Sequence, residues 1–361
     1  MQPSDWVRLS ILSDRVKPAV VPVLERFGSA DEFVAATSTT QAEALGGLTA
    51  HGRRVLSAVL ASDCAPQVEV LTELGAAIVP YESDDYPKGL LDLECPPPCL
   101  FVWGDVSCLA RRCVSIVGSR ASSPYGLDMA CRIAEGLAAR GVCVISGIAV
   151  GVDAAAHQGA LNVGGLTAAV TGCGIDVAYP RRNEELRRRI AESGGAVVTE
   201  MPPGTEPSRD VFPRRNRLVA ALSLLTVVVG ASESSGALIT ADWAAELGRE
   251  VAGVPGSVRD PFNRGAHKLI RDGAHVVDSA ESVFALIGLT GDECPQRDLD
   301  LGSLAPDERQ VWGLLSHKPT HVDWLGDQAG LSPAALGTAL TMLMARGLVE
   351  PRPGGCYVRA V

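Results

Sequence analysis

Lysine is nearly missing from this chain: of 32 basic residues only Lys17, Lys88, Lys268 and Lys318 are lysines, and the other 28 are Arg. A phosphate-binding loop of the GxxxxGK[ST] type needs a Lys directly after a Gly, and none of the four follows one. Nucleotide hydrolysis by that machinery is excluded. Glycines are not spaced as a dinucleotide fingerprint either. Gly172-Cys173-Gly174 has two, but Val177 stands where GxGxxG needs the third, so NAD is not expected. There is no GxSxG elbow and no HExxH. Aromatics make up only 4%. No apolar run reaches membrane-spanning length; Leu224 to Val229 is about one buried strand long. The opening stretch, broken by Asp5, Arg8, Asp14 and Arg15, lacks the apolar core of a secretory signal. The ten cysteines are therefore expected to be reduced thiols in a cytoplasm, not a disulfide framework.

What is present fits a globular protein. The 361 residues suit two or three domains, and 47% apolar against 20% charged residues gives ample material for a core. The net charge of −10 is uneven. From Arg111 to Arg217 there are 14 Arg and no Lys against 10 acids, a local +4, which leaves −14 for the remainder. One Arg-dense region on an acidic body points to an anion-binding cleft. Arg offers forked, always-charged contacts to phosphate, although genome composition produces the same bias.

Residues 1–75 carry apolar residues at three- and four-residue spacing, which predicts helices. Residues from 76 look like short strands and turns, a lead-in to an alternating region. From 111 to 288 buried strands (CVSIVGS, VCVISG, LTAAVTG, AVVTE, LLTVVVG, REVAGVPG, HVVD) alternate with helices. That alternation means a doubly wound, mostly parallel α/β sheet, with ligands beyond the carboxyl ends of its strands. A polar linker is expected over 289–303. In 304–361, three helices and two strands around a Pro-Gly-Gly turn form a winged-helix pattern.

Several strand ends carry small residues: Gly118-Ser119-Arg120, Ser146-Gly147, Gly172 with Gly174, and Ser235-Gly236. Such turns let a backbone approach a ligand and place helix N-termini beside it. Any α/β sheet needs tight turns, but four on one sheet, one bearing an Arg, point to a phosphate-binding rim. Arg214, Arg215 and Arg217 begin a helix, where cations oppose the macrodipole at about 0.3–1 kcal/mol each. An anion site is expected there, with a solvated face as the alternative. Arg187, Arg188 and Arg189 sit near a helix end behind Glu184 and Glu185, where dipole and pairing explain them. Asp153 and His157, four apart, suit a structural hydrogen bond better than catalysis. Cys95, Cys99, Cys108 and Cys113 lack zinc-knuckle spacing, and no metal is expected.

Together these stretches (YPKGLLDLECPPPCLFVWGD, VSIVGSRASSPYG, VISGIAVGVDAAAHQGAL, AVTGCGIDVAYPRRNEEL, FPRRNRLVAALS, SSGALITADWAAELGREVAGVPG, HKLIRDGA) resemble the DNA-processing protein A family, DprA or Smf, over residues 80–280. The resemblance implies a Rossmann-like fold flanked by a helical, SAM-like N-terminal domain and a C-terminal winged helix. It implies a dimer that binds single-stranded DNA and loads the RecA recombinase in natural transformation, with single-strand-binding protein as a further candidate partner. It implies no catalysis and no cofactor. The GSR stretch and Arg214-Arg215-Asn216-Arg217 should line the DNA pocket, with Arg181 as a further cation. Tyr179 and Phe212 are the stacking candidates, with core roles as the alternative. Gly230 replaces the family's usual Glu, and Ala266-His267 its usual Cys-Asn.

The winged helix balances 5 basic against 5 acidic residues over 303–361. Its groove-entering helix, SPAALGTALTMLMARG, offers one Arg, so a protein-contact or regulatory role is expected there. Two competing functions remain. A nucleotide-processing phosphoribohydrolase would carry PGGxGTxxE, whereas Pro255-Gly256-Ser257-Val258-Arg259 lacks the second Gly and the Glu. A double-strand transcription regulator is disfavoured by the neutral winged helix.

Overall fold

The computed structural model describes residues 1–15, 20–36, 38–46, 48–208, 210–289, 304–316, 319–346 and 348–359. They fall into two compact units, Met1–Glu293 and Cys294–Val361.

The first unit opens with helices α1 (Pro3–Arg15), α2 (Val20–Phe27), α3 (Ala30–Ala35), α4 (Ser38–Ala44), α5 (Ala50–Leu60) and α6 (Ala65–Leu74). Local chemistry sets their ends. Ser29 and Thr49 accept from the backbone N–H three residues on and start α3 and α5. Gly75, at φ 66°, stops α6. The helices do not stand apart: Trp6, Leu9, Leu12 and Phe33 pack in one core with Cys99, Phe101, Ala169 and Val197 of the sheet. The change of element type near residue 75 is therefore not a break in packing.

The sheet has nine strands: β1 (Ala76–Pro80), β2 (Cys99–Gly104), β3 (Cys113–Gly118), β4 (Cys143–Ser146), β5 (Thr167–Val170), β6 (Ala196–Thr199), β7 (Leu225–Val229), β8 (Glu250–Gly253) and β9 (His275–Val276). Their order is β1-β2-β6-β5-β4-β3-β7-β8-β9. β2 runs antiparallel to both neighbours, and β3 to β9 are parallel. Residues 76–104 are thus more than the lead-in expected from sequence. The first four residues of β2 are fully buried, so it must be covered on both faces.

Seven helices complete this unit: α7 (Pro124–Ala139), α8 (Val152–Asn162), α9 (Glu184–Glu192), α10 (Val211–Ala221), α11 (Gly236–Glu246), α12 (Arg264–Arg271) and α13 (Ala280–Leu286). Along β3, Val114 and Ile116 face α7, α8 and α13, while Cys113 and Val117 face α10 and α11. The sheet is doubly wound. From β3 the chain goes one way to β4, β5 and β6; β7, β8 and β9 lie on the other side. The connections that leave the carboxyl ends of β3 and β7 therefore go opposite ways, and a crevice opens above the two paired strands.

Behind that crevice His157 of α8 is buried. Its Nδ1 lies 2.6 Å from Thr167 Oγ1, whose own proton goes to the Val144 carbonyl at 2.6 Å. Nδ1 must therefore be the protonated nitrogen, and Nε2 has no partner among the described residues.

The second unit comprises α14 (Pro306–Leu314), β10 (Thr320–His321), α15 (Val322–Ala329), α16 (Pro333–Ala345), β11 (Val349–Arg352) and β12 (Cys356–Arg359). Three helices pack on an antiparallel sheet in the order β10-β12-β11 around Val311, Leu325, Leu336, Leu340 and Leu343. This is a winged helix, its wing turning at Gly354 and Gly355. Of the expected linker, residues 290–303 lie outside the described residues.

Burial pushes the His157 imidazole down to about 3. The unfolded chain, near its ordinary 6.5, binds a proton between those values that the folded protein does not. Stability should therefore fall as pH drops from 6.5 towards 3, by about 1.4 kcal/mol per pH unit from this group. Urea denaturation from pH 7 to 5 should show a shallower pH slope for His157→Gln than for the parent. Equal slopes would refute the assignment.

Candidate nucleic-acid interface

The crevice is built from the end of β3 outward. A Cβ on Gly118 would run into the Val229 carbonyl and lie 2.7 Å from the Val152 side chain, so β3 can end this way only on glycine. Ser119 N–H then donates to the Gly230 carbonyl at 3.1 Å, tying the ends of β3 and β7 together. The next residue, Arg120, points into solvent. Its guanidinium lies 5.4 Å from the Phe212 ring centroid, and Phe212 stacks on Tyr179 with centroids 5.4 Å apart and planes at 28°. The resulting cleft has a volume of 330 Å3 and adjoins a 70 Å3 recess that reaches Gly172 and Tyr179.

Helix α10 supplies the cleft's inner wall. Arg215 is buried, and its guanidinium donates to the carbonyls of Gly147, at 2.7 Å, and Val170. Its Nε has no partner among the described residues. Burial lowers its pKa, the Asp153 carboxylate opposes that, and Arg120 adds to it. Burial raises the Asp153 carboxyl, partly offset by Arg215. A Cβ on Gly147 would sit 2.6 Å from the Arg215 guanidinium nitrogens and from Asp153 Oδ2, so glycine is required there. Asn216 donates to the Gly236 carbonyl at 3.1 Å, and Ser235 caps α11. The N-terminus of α11 thus opens into the cleft with its backbone donors, a favourable end for an anion.

The structure brings Gly118, Ser119, Arg120, Gly147, Gly172, Tyr179, Phe212, Arg215, Asn216, Ser235 and Gly236 to the cleft and its recess. It does not bring the whole Arg run there. Arg214 and Arg217 are three apart and share one face of α10, and Arg215 lies on another. Arg217 is buried and paired with Glu200, donating also to the Cys95 carbonyl at 2.9 Å. Arg214 pairs with Asp14 of α1 at 2.6 Å. Both hold the N-terminal helices and the 95–99 loop against α10 instead of facing the cleft. Ser146 is fully buried and donates to the Ile116 carbonyl at 2.6 Å. Gly174 is packed against the 202–205 turn. Arg181 is exposed in a separate recess beside Arg182.

Other expectations also change. Dipole and pairing do not account for Arg187: it is buried and caps the carbonyls of Val177, at 3.0 Å, and Ile175. Arg188 is exposed and paired with Glu185, at 2.6 Å, and Glu192, at 2.5 Å. Asp153 and His157 share α8 but not a site, since Asp153 turns to the Gly147 loop and His157 to Thr167. The cysteines with a zinc-like clustering in sequence are divided, Cys99 in the core beneath the N-terminal helices and Cys108 and Cys113 in another. Among the described residues no group of three His, Cys, Asp or Glu could hold a metal. Sequence reading missed Ile148, which lines the recess at φ 57°, a left-handed conformation strained for a β-branched residue. Asn183 donates to its carbonyl at 2.9 Å. No pattern in the sequence signals that backbone. Gly230 lies at φ 56°, where a Cβ would be 2.6 Å from Ser122 Oγ, and His267 Nε2 accepts from Gly256 N–H at 3.4 Å.

Truncating Arg217 would leave the buried Glu200 carboxylate with only Arg214 Nε, 3.9 Å away. Arg217→Ala should therefore destabilise the protein by about 3 kcal/mol, whereas Arg120→Ala, at an exposed position, should stay within about 0.5 kcal/mol of the parent. Urea melts of the two variants check this; equal stability would mean that the Arg217–Glu200 pair is dispensable.

Comparison with known proteins places this architecture. Residues 77–288 match the family described as DNA recombination-mediator protein A, and residues 295–355 match the DprA winged helix domain. The putative DNA processing protein DprA of Mycobacterium tuberculosis is 38% identical over 308 residues, covering 80% of this chain and 79% of that protein. Protein Smf of Escherichia coli is 37% identical over 78% of this chain and 77% of its own length. The crystal structure of DNA processing protein A from Streptococcus pneumoniae aligns with a TM-score of 0.70 at 32% identity, covering 79% of this chain and 98% of that one. The solved structure of DNA processing protein A from Helicobacter pylori, described for its single-stranded DNA binding mode, aligns with a TM-score of 0.54 at 27% identity, covering 59% of this chain and 95% of that one. With both its α/β region and its winged helix matched in order, the chain belongs to the DNA-processing protein A (DprA/Smf) family.

Proposed function

We propose that this chain binds single-stranded DNA in the cleft between β3 and β7, protects it, and hands it to the RecA recombinase during natural transformation, without catalysing a reaction. The observation that carries the reading is the exposed Arg120 set over the Phe212–Tyr179 stack, beside the buried cation of Arg215 and the open N-terminus of α11. A flexible strand can lay phosphates on the cations and backbone donors and a base against the aromatic pair. A duplex keeps its bases inside and cannot use that pair. The single-stranded DNA binding described for the Helicobacter pylori relative supports the same substrate. The RecA partnership, a contact with single-strand-binding protein and a homodimer rest on the family resemblance, as does a cytoplasmic location. Among the described residues no single helix is long and apolar enough to cross a membrane.

The two side chains that a hydrolase reading would use are held apart. Asp153 is held beside Arg215 by burial and by Ala149 N–H, and His157 lies behind the sheet. Pure protein should release neither base nor phosphate from nucleoside monophosphates. Release abolished by Asp153→Asn would establish the enzyme reading instead.

Fluorescence anisotropy with labelled oligo-dT and a matched duplex tests the binding. Single strands should bind more tightly, with affinity falling as salt rises. Arg120→Ala should weaken oligo-dT binding about tenfold and lower the log–log salt slope by about 0.7. Phe212→Ala should cost about 1–3 kcal/mol of affinity. Arg188→Ala, at a side chain already paired on both sides, should change little. Equal affinity for duplex and single strand, or a larger effect from Arg188 than from Arg120, would place the site elsewhere.

A further inference from the structure

We propose that the winged helix docks a basic amphipathic helix of a partner protein in the groove between α15 and α16; this goes beyond the single-strand reading and does not depend on it. The groove has a volume of 810 Å3. Leu336 and Leu340 form its buried floor, and Val322, Met344 and Tyr357 line it half-buried. Its charged residues are Asp323 and Asp327, both exposed, and no described Lys, Arg or His lines it. The two carboxylates stand four apart on α15, so they share a face and repel each other. Asp323 Oδ2 lies 3.4 Å from His321 Nδ1. That nitrogen accepts from Asp323 N–H at 3.3 Å, so the ring is neutral in this arrangement and cancels no charge. Asp327 lies in the last turn of α15, where a carboxylate opposes the macrodipole. Among the described residues it makes no ion pair or side-chain hydrogen bond.

Stability does not explain Gly337 either. It sits inside α16 and lines the groove, and a Cβ there would meet nothing within 4 Å. Glycine is unfavourable in a helix interior, and no described neighbour requires it. A second backbone lying in the groove does require it, because a side chain at 337 would hold that backbone off. Trp324 points to the same surface. It is 48% exposed and shares a face of α15 with Asp327, three residues on. Trp is among the side chains that most often anchor protein interfaces. The shape selects a helix as occupant. From Pro333 to Met344 the groove-lining part of α16 rises about 16 Å, the length of a helix of about 11 residues. Asp323 and Asp327 are about 6 Å apart along their axis, which matches two cations four apart on the partner. The partner's apolar residues at i, i+3, i+4 and i+7 would then rest on Leu336 and Leu340. Those cations would remove the repulsion and the dipole penalty together, whereas a phosphate backbone would add to both.

A labelled synthetic helix tests the groove on the full chain. The probe is a peptide of about 14 residues, with Leu at i, i+3, i+4 and i+7 and Lys in pairs four apart, followed by fluorescence anisotropy. Its counterpart carries Glu in place of Lys. The parent should bind the Lys peptide, and the Glu peptide at least about tenfold more weakly. Gly337→Leu, which fills the groove without changing charge, should weaken the Lys peptide about tenfold, and so should Trp324→Ala. Asp323→Asn/Asp327→Asn keeps the shape and should cost about fivefold, with a smaller salt dependence. Far-UV circular dichroism of each variant checks the fold, and the isosteric Asn pair keeps the test decisive if Gly337→Leu fails to fold. Lack of binding by the parent would overturn the proposal. So would binding that neither Gly337→Leu nor the Asn pair weakens, because the acidic body as a whole would then attract the peptide. A labelled DNA duplex that Gly337→Leu releases while the peptide stays bound would make the groove a nucleic-acid site and overturn it too.

Discussion

Arg215 places a positive charge inside the carboxyl edge of a parallel sheet, and the surrounding structure is arranged to keep it there. Two carbonyls from different strand ends, Gly147 and Val170, converge on its guanidinium. Residue 147 has to be glycine because the guanidinium and the Asp153 carboxylate occupy the space a side chain would need. The following residue takes a left-handed backbone that Asn183 holds from the far side. A charge removed from water is tolerated only when it is surrounded by acceptors or an opposite charge. Here the acceptors are the ends of the strands themselves, so the fold and the cleft cannot be separated energetically. Arg120, by contrast, is a solvated cation steered only by an aromatic face, free to rearrange on a ligand.

Much of this was legible in the sequence, and the reasons differ by element. Strands such as CVSIVGS and LLTVVVG are apolar at nearly every position and read as buried parallel strands. The strand ends with small residues pointed to the edge of the sheet where the cleft lies, since topology alone opens a crevice there. The run Arg214–Arg217 misled because a sequence shows charge but not the side of the helix that carries it. At 100° per residue, neighbouring arginines on α10 serve opposite purposes: one lines the cleft, and two fasten the N-terminal helices and the adjoining loop. Arg187 misled in the same way, since an Arg whose guanidinium caps buried carbonyls looks in sequence like one that faces water.

The winged helix shows the converse. Its three helices and hairpin were readable from spacing and turn residues, and the fold followed. Its basic residues are largely engaged within the unit. Arg352 pairs with Glu350 and Arg346 with Glu308, and Arg359 lies 3.9 Å over the Trp312 ring. A helix that in many winged modules meets a phosphate backbone here presents Ala, Gly and Thr, with Met342 exposed. The described part of the unit therefore has little free positive charge with which to hold DNA.

The contacts between α1 and α10 carry a consequence for how the protein is dissected. Asp14 holds Arg214, and the Ser10 hydroxyl donates to the Glu200 carbonyl at 2.7 Å, beside the carboxylate that holds Arg217. The helix that lines the cleft on one side is thus splinted on the other by the first residues of the chain. A protein shortened to begin near residue 76 would not be a smaller edition of the same binder. It would expose Phe101 and the apolar sheet face around it, release Arg214 from Asp14, and leave α10 supported on one flank only. Any affinity measured on such a fragment would report a helix that the whole protein does not possess.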